Sequence, residues 1–134
     1  MALMKHREPN HVLWRGARPG HNGTQICKAG SVGGGGTDAL YTVDDGEVLF
    51  ITYVTLSSSE DTAAAGTCSL RTTPIGEVGL VRIMDHEYAV AGHQVSTATF
   101  NPPIEVAETV QVQLNSSHAN IIGRACIHGW IQAV

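Results

Sequence analysis

No run of eighteen apolar residues occurs anywhere in the 134-residue chain. A helix needs about that many to cross the hydrocarbon of a bilayer, so no membrane partner is expected. The opening residues, Met1 to Glu8, become charged after a few apolar positions and lack the apolar stretch of a secretory signal. No Cys-x-x-Cys occurs: Cys27, Cys68 and Cys126 stand far apart. An odd count without a leader points to reduced thiols made in a cytosol, with a disulfide between two of the three as the alternative. No stretch keeps a helical period over twelve residues. The four glycines 33–36 lead neither to a Lys-Ser/Thr pair nor to a helix start, which argues against a phosphate cradle and for a loop.

Catalytic signatures are also missing. Seven histidines invite a metal reading, yet no His-x-His pair exists and no Gly-x-Ser-x-Gly elbow occurs. The nearest approach to a metal cluster is Asp85-His86-Glu87 with His93. On a strand, Asp85 and Glu87 point to one face and His86 to the other, so they do not converge on an ion. Cys68 and Cys126 fall inside apparent strands, where buried, inert thiols are expected. Glu105 and Glu108 flank a turn and read as solvated charges, with a glycosidase-like pair as the sharper alternative. The expectation is therefore no catalytic residue, no metal and no cofactor.

What is present is a series of short apolar runs parted by turn signals. Residues 41–56 organise the rest: Asp45-Gly46 marks a tight turn, read as a hairpin, because glycine takes positive φ without a Cβ clash. The strand after it is apolar on both sides. Strict alternation puts Val48, Phe50, Val54 and Leu56 on one face and Leu49, Ile51 and Tyr53 on the other. Such a strand is expected at the centre of a sheet, covered on both faces. Further strands are expected near 26–29, 67–72, 78–84, 88–90, 95–100, 104–107, 110–114 and 121–134, with a polar loop over 57–66 and an extended break at Asn101-Pro102-Pro103. About eight strands at short spacing predict an all-β antiparallel sandwich, with the jelly roll as the natural eight-strand form.

Charge is unevenly spread. Residues 1–30 hold five basic residues against one acid, a net of +4, while the remainder holds three against eleven, a net of −8. The first 25 residues show no period and are punctuated by Pro and Gly, so the expected organisation is an extended basic arm over 1–25 and a sandwich domain over 26–134. Within the arm, Lys5, Arg7, Val12, Leu13, Trp14, Arg15 and Arg18 are the candidate partner-binding residues, since Trp and Arg dominate interface hot spots. An acidic partner suits such an arm, with a solvated tail, or Trp14 packed on its own domain, as the plainer alternatives; nucleic acid does not suit the acidic body. Phe50, Tyr53, Ile127, Trp130 and Ile131 are the candidates for an oligomer interface.

The segment Ala39-Leu40-Tyr41-Thr42-Val43-Asp44-Asp45-Gly46-Glu47-Val48-Leu49-Phe50-Ile51-Thr52 resembles the opening of small jelly-roll β-sandwich proteins from the virions of tailed bacteriophages. Phe100-Asn101-Pro102-Pro103-Ile104-Glu105-Val106 and Val110-Gln111-Val112 resemble the closing part of the same domain. The likeness spans about residues 38–134 and departs at Asp44-Asp45, where the family pattern has Pro-Ala. The resemblance implies a homotrimer that works as a head decoration (cement) protein, or as a module of a tail fibre or receptor-binding spike. A chain with its own Met1 and a closing strand is expected to be a free-standing small protein and not a slice of a fibre. The resemblance then implies a non-enzymatic virion protein on the capsid exterior, made in the host cytoplasm. Its partners would be the major capsid protein shell and neighbouring decoration trimers. The alternatives are a receptor- or glycan-binding module and a cupin-like metal enzyme.

Overall fold

The computed structural model describes residues 23–74 and 81–134. The arm residues Lys5, Arg7, Val12, Leu13, Trp14, Arg15 and Arg18 lie outside the described residues. Eight strands follow one another: β1 (Thr24–Val32), β2 (Thr37–Thr42), β3 (Glu47–Glu60), β4 (Gly66–Pro74), β5 (Val81–Tyr88), β6 (Gly92–Val106), β7 (Val110–Ser116) and β8 (Ile121–Ala133). They form two four-stranded antiparallel sheets, ordered β1-β8-β3-β6 and β2-β7-β4-β5. Every connection except β4 to β5 passes from one sheet to the other, which is the winding of a jelly roll. Among the described residues no helix is long and apolar enough to cross a membrane.

The all-β sandwich expected from the spacing is what forms, and β3 lies at the centre of its sheet between β8 and β6. The expected hairpin does not form. The turn is there: Gly46 has φ of +81°, and the Glu47 N–H donates to the Asp44 carbonyl at 3.2 Å. The Gly46 N–H also donates to the Glu108 carboxylate at 2.7 Å. Yet β2 pairs with β7, and β3 pairs with β6 and β8, so the turn is an arch between the sheets. Turn chemistry reverses the chain locally; which strand lies alongside is decided by burial. Leu40 and Val43 on one arm and Leu49 and Ile51 on the other enter the same core from opposite sheets.

Strict alternation in β3 also fails. Against β8, Ile51 pairs with Gly129 and Tyr53 with the adjacent His128, which makes Thr52 an extra residue; against β6 the register breaks at the same place, with residues 100–103 unpaired between Thr99 and Ile104. A β-bulge of this kind exchanges the two faces beyond it. Leu49 and Ile51 point inward before the bulge, and Val54 and Leu56 point inward after it, all at 0 % exposure. Tyr53 is thereby moved to the outer face beside Phe50. Two local details hold the bulge. The Thr52 hydroxyl donates to the His128 carbonyl at 3.2 Å, and a Cβ on Gly129 would fall onto the Phe50 carbonyl.

Three further boundaries differ from the expected ones. Residues 57–60, read as loop, continue β3, because Ser58 and Glu60 point inward and find polar partners there. β1 is longer than the four residues expected and begins at Thr24, inside the span assigned to the arm. Strand β6 runs through Asn101-Pro102-Pro103, whose first peptide bond is cis, and pairs on both sides of it. It is an edge strand, where the N–H that proline lacks is not required by a second neighbour.

Candidate functional site

The outer face of the β1-β8-β3-β6 sheet gathers the chemistry-bearing side chains. On it, Phe50 stacks on Trp130 with ring centroids 4.9 Å apart and planes 20° from parallel. Val48 and Trp130 are each only 7 % exposed, although neither belongs to the main core cluster. Tyr53 meets His128 edge-on at 5.5 Å. Among the described residues the Trp130 indole N–H is buried without a hydrogen-bond partner. Farther along the same face, Val95 is 75 % exposed and Ile122 49 %.

Of the interface candidates, Phe50, Tyr53 and Trp130 share this outer face. Ile127 does not: it is fully buried in the core and has no surface to offer a partner. Its neighbours in β8, His128 and Cys126, are the ones that face outward. Ile131 is half-buried and pairs with the inward-facing Leu49, so it does not share the outer face of Phe50 and Trp130.

The same face holds a cluster that the linear motifs did not reveal. Cys27 lies opposite His128 in the β1–β8 ladder, and Cys126 lies opposite Ala29. Their side chains converge. Cys27 Sγ is 3.4 Å from Cys126 Sγ and 3.8 Å from His128 Nε2. Cys126 Sγ is 3.3 Å from His128 Nε2. Contrary to the expectation of a buried, inert thiol, Cys126 is half-buried and points outward, because Ala125 and Ile127 on either side take the inward positions. Burial, together with its contact with Cys27, pushes its thiol up to about 11. A local signal existed in Cys126-x-His128, since residues two apart on a strand share a face. Cys27, 99 residues away from Cys126, becomes a neighbour only through the pairing of the first and last strands.

A second polar cluster lies inside the sandwich. Ser58 Oγ hydrogen-bonds both His86 Nδ1 and Tyr88 OH at 2.6 Å. His86 Nε2 hydrogen-bonds Ser96 Oγ at 2.8 Å. His86 is 1 % exposed, and burial holds its pKa below the ordinary imidazole value, with the Asp85 charge acting in the opposite direction. Nearby in chain order, the buried Glu60 carboxylate accepts from the Thr62 N–H and hydroxyl, both at 2.8 Å. The N–H bond from Thr62 is the main reason its pKa lies below the usual carboxylate value. The other Glu60 oxygen faces His118 Nδ1 at 3.7 Å. The Ser58, His86, Tyr88 and Ser96 side chains satisfy one another, which suits structural specification better than attack on a substrate; the second Glu60 oxygen is buried without a hydrogen-bond partner among the described residues. Cys68, 0 % exposed, is a core thiol pushed up to about 11 by burial, with Asp85 adding to the shift.

No protein-family model matches the chain, and no curated protein matches it. Among solved structures, it is similar to a chain of the cyanophage Pam1 capsid asymmetric unit at 18 % identity and a TM-score of 0.42, over 85 % of this chain and 91 % of that one. It is also similar to a chain from the Bacillus endospore appendages described as disulfide-linked pili, at 9 % identity and a TM-score of 0.38, over 84 % and 87 % of the two chains. Likeness at these scores carries no argument about what the protein does.

Proposed function

We propose that this chain is a non-enzymatic assembly protein, a phage-head decoration protein that associates as a homotrimer and grips the capsid exterior with its basic N-terminal arm. The observation that carries this reading is the charge division within one small chain. Residues 1–30 carry +4, including Lys5, Arg7, Arg15 and Arg18, and the remainder carries −8. A basic arm is attracted to acidic surfaces, and the acidic bodies of neighbouring copies and an acidic shell would both hold it. The half-buried Phe50 and Tyr53, with exposed Val95 and Ile122 on the same outward sheet face, supply apolar area of the kind that subunit contacts use. The Cys/His cluster sits on that outward face, whereas a cupin-like enzyme would hold its ion inside the sandwich.

The test is removal of residues 1–22, a cut that stops short of β1 at Thr24. Light scattering on the truncated protein is expected to return the trimer mass. Co-sedimentation with empty heads of the cognate phage is expected to fall to background. Undiminished binding to heads, or a monomer for the intact chain, overturns the proposal.

A further inference from the structure

We propose that Cys27, Cys126 and His128 form a binding site for a thiophilic divalent ion of the zinc class, with the fourth coordination position open to solvent. The spacing of the donor atoms carries the argument. With metal–sulfur bonds of about 2.3 Å and metal–nitrogen bonds of about 2.05 Å, a tetrahedral ion sets S···S edges of about 3.8 Å and S···N edges of about 3.6 Å. The three observed separations are 3.4 Å, 3.8 Å and 3.3 Å. Three donors from two strands thus already outline one face of such a tetrahedron, each edge within about 0.4 Å of the ideal.

Neither hydrogen bonding nor a disulfide accounts for this triangle as well as an ion does. Thiols are poor donors and poor acceptors, so hydrogen bonding between them gives little reason for two cysteines and an imidazole to crowd together on a strand face. A disulfide fits the ladder badly. Cys27 and Cys126 are diagonal neighbours, since their direct partners are His128 and Ala29. Diagonal positions in an antiparallel pair lie about 7–8 Å apart, beyond the usual Cα separation of about 4.4–6.8 Å across a disulfide. A bridging ion spans a diagonal without moving the backbone.

The surroundings suit an ion with one open position. Tyr53 packs edge-on against the His128 ring, and the Thr52 hydroxyl ties the His128 carbonyl, so the imidazole is oriented by the bulge. Cys126 and His128 are half-buried while Cys27 is exposed. Cys27 and His128 line one cleft together with Gln25, Thr52 and Trp130. Trp130 itself is 7 % exposed and stacked on Phe50, which gives that cleft a fixed aromatic wall. Soft thiolates with one imidazole select zinc over hard cations such as magnesium or calcium. On binding, the two thiols each lose a proton to solvent and the imidazole binds as the neutral base. This site does not depend on the decoration reading.

The test uses the intact chain, purified with a reductant and titrated with zinc chloride against a chromophoric chelator. Cobalt(II) serves as the optical probe in parallel. One ion per chain is expected, with the near-ultraviolet thiolate-to-cobalt charge-transfer band and the intense visible bands of tetrahedral coordination. Cys27→Ser and Cys126→Ser are each expected to abolish those bands and to weaken zinc binding by more than the about 10–100-fold typical of losing an outer-shell partner. Cys68→Ala, which alters only the core thiol, is expected to bind as the parent does. Circular dichroism checks that all three variants are folded. Absence of uptake, a weak octahedral cobalt spectrum, undiminished uptake by both serine variants, or a Cys27–Cys126 disulfide found by peptide mapping in the reduced preparation would each overturn the proposal.

Discussion

Replacing Gly129 by alanine is expected to lower the unfolding free energy by about 3 kcal/mol, the upper part of the range for forcing an extra carbon into a packed interior. The added Cβ would meet the carbonyl oxygen and carbon of Phe50 and the Cα of Ile51, all of them backbone atoms. A side chain can rotate away from a clash; a strand backbone in the middle of a sheet cannot. Strands β3 and β8 would have to part at the bulge. That movement would pull the Phe50 ring from Trp130, now 4.9 Å away, and break the bond from Thr52 to the His128 carbonyl. Urea denaturation followed by tryptophan fluorescence gives the measurement. A loss under about 1 kcal/mol would mean that the bulge relaxes easily and that close approach at Gly129 is not what holds it.

The second large effect is expected from Ser58→Ala, at about 2–3 kcal/mol. One hydroxyl serves both His86 Nδ1 and Tyr88 OH at 2.6 Å, so its removal strands two buried polar groups at once. For a domain of this size that corresponds to a fall in Tm of about 10 °C. The same cluster makes stability depend on pH in a definite direction. Burial depresses the pKa of His86 in the folded state, so its contribution is complete above the unfolded value of about 6.5 and is lost as pH falls below it. Glu60 is depressed chiefly by the Thr62 N–H. Its contribution is present above the unfolded carboxylate value of about 4.3 and is lost as pH falls through the folded value. The two act in the same sense. A flat Tm between about pH 7 and 8 is expected, then a decline below about pH 6.5 that steepens in the carboxylate range. His86→Gln is expected to remove the upper part of that decline. A profile unchanged by that substitution would assign the acid sensitivity elsewhere.

Much of the architecture was legible from residue order because it rests on local chemistry. Alternation in Val110-Gln111-Val112-Gln113-Leu114 announced a half-buried strand, and that segment lies in β7 with Val112 and Leu114 fully buried. Gly46 marked a positive-φ turn because glycine alone takes that conformation at little cost, and it does so at +81°. The apolar content of both faces of residues 48–56 placed that strand in the middle of a sheet, and β3 has a neighbour on each edge.

By itself the sequence determined the class of fold, the approximate number of strands and the division of charge between the first thirty residues and the rest, since each follows from properties of single residues or near neighbours. Tertiary structure decided which strands pair, and with that everything that depends on pairing. The arch at Asp45-Gly46, the face exchange at Thr52 and the outward turn of Cys126 all follow from burial summed over both sheets. The meeting of Cys27 with Cys126 and His128 spans 99 to 101 residues of chain. No local propensity encodes such a distance; closing the first strand onto the last does.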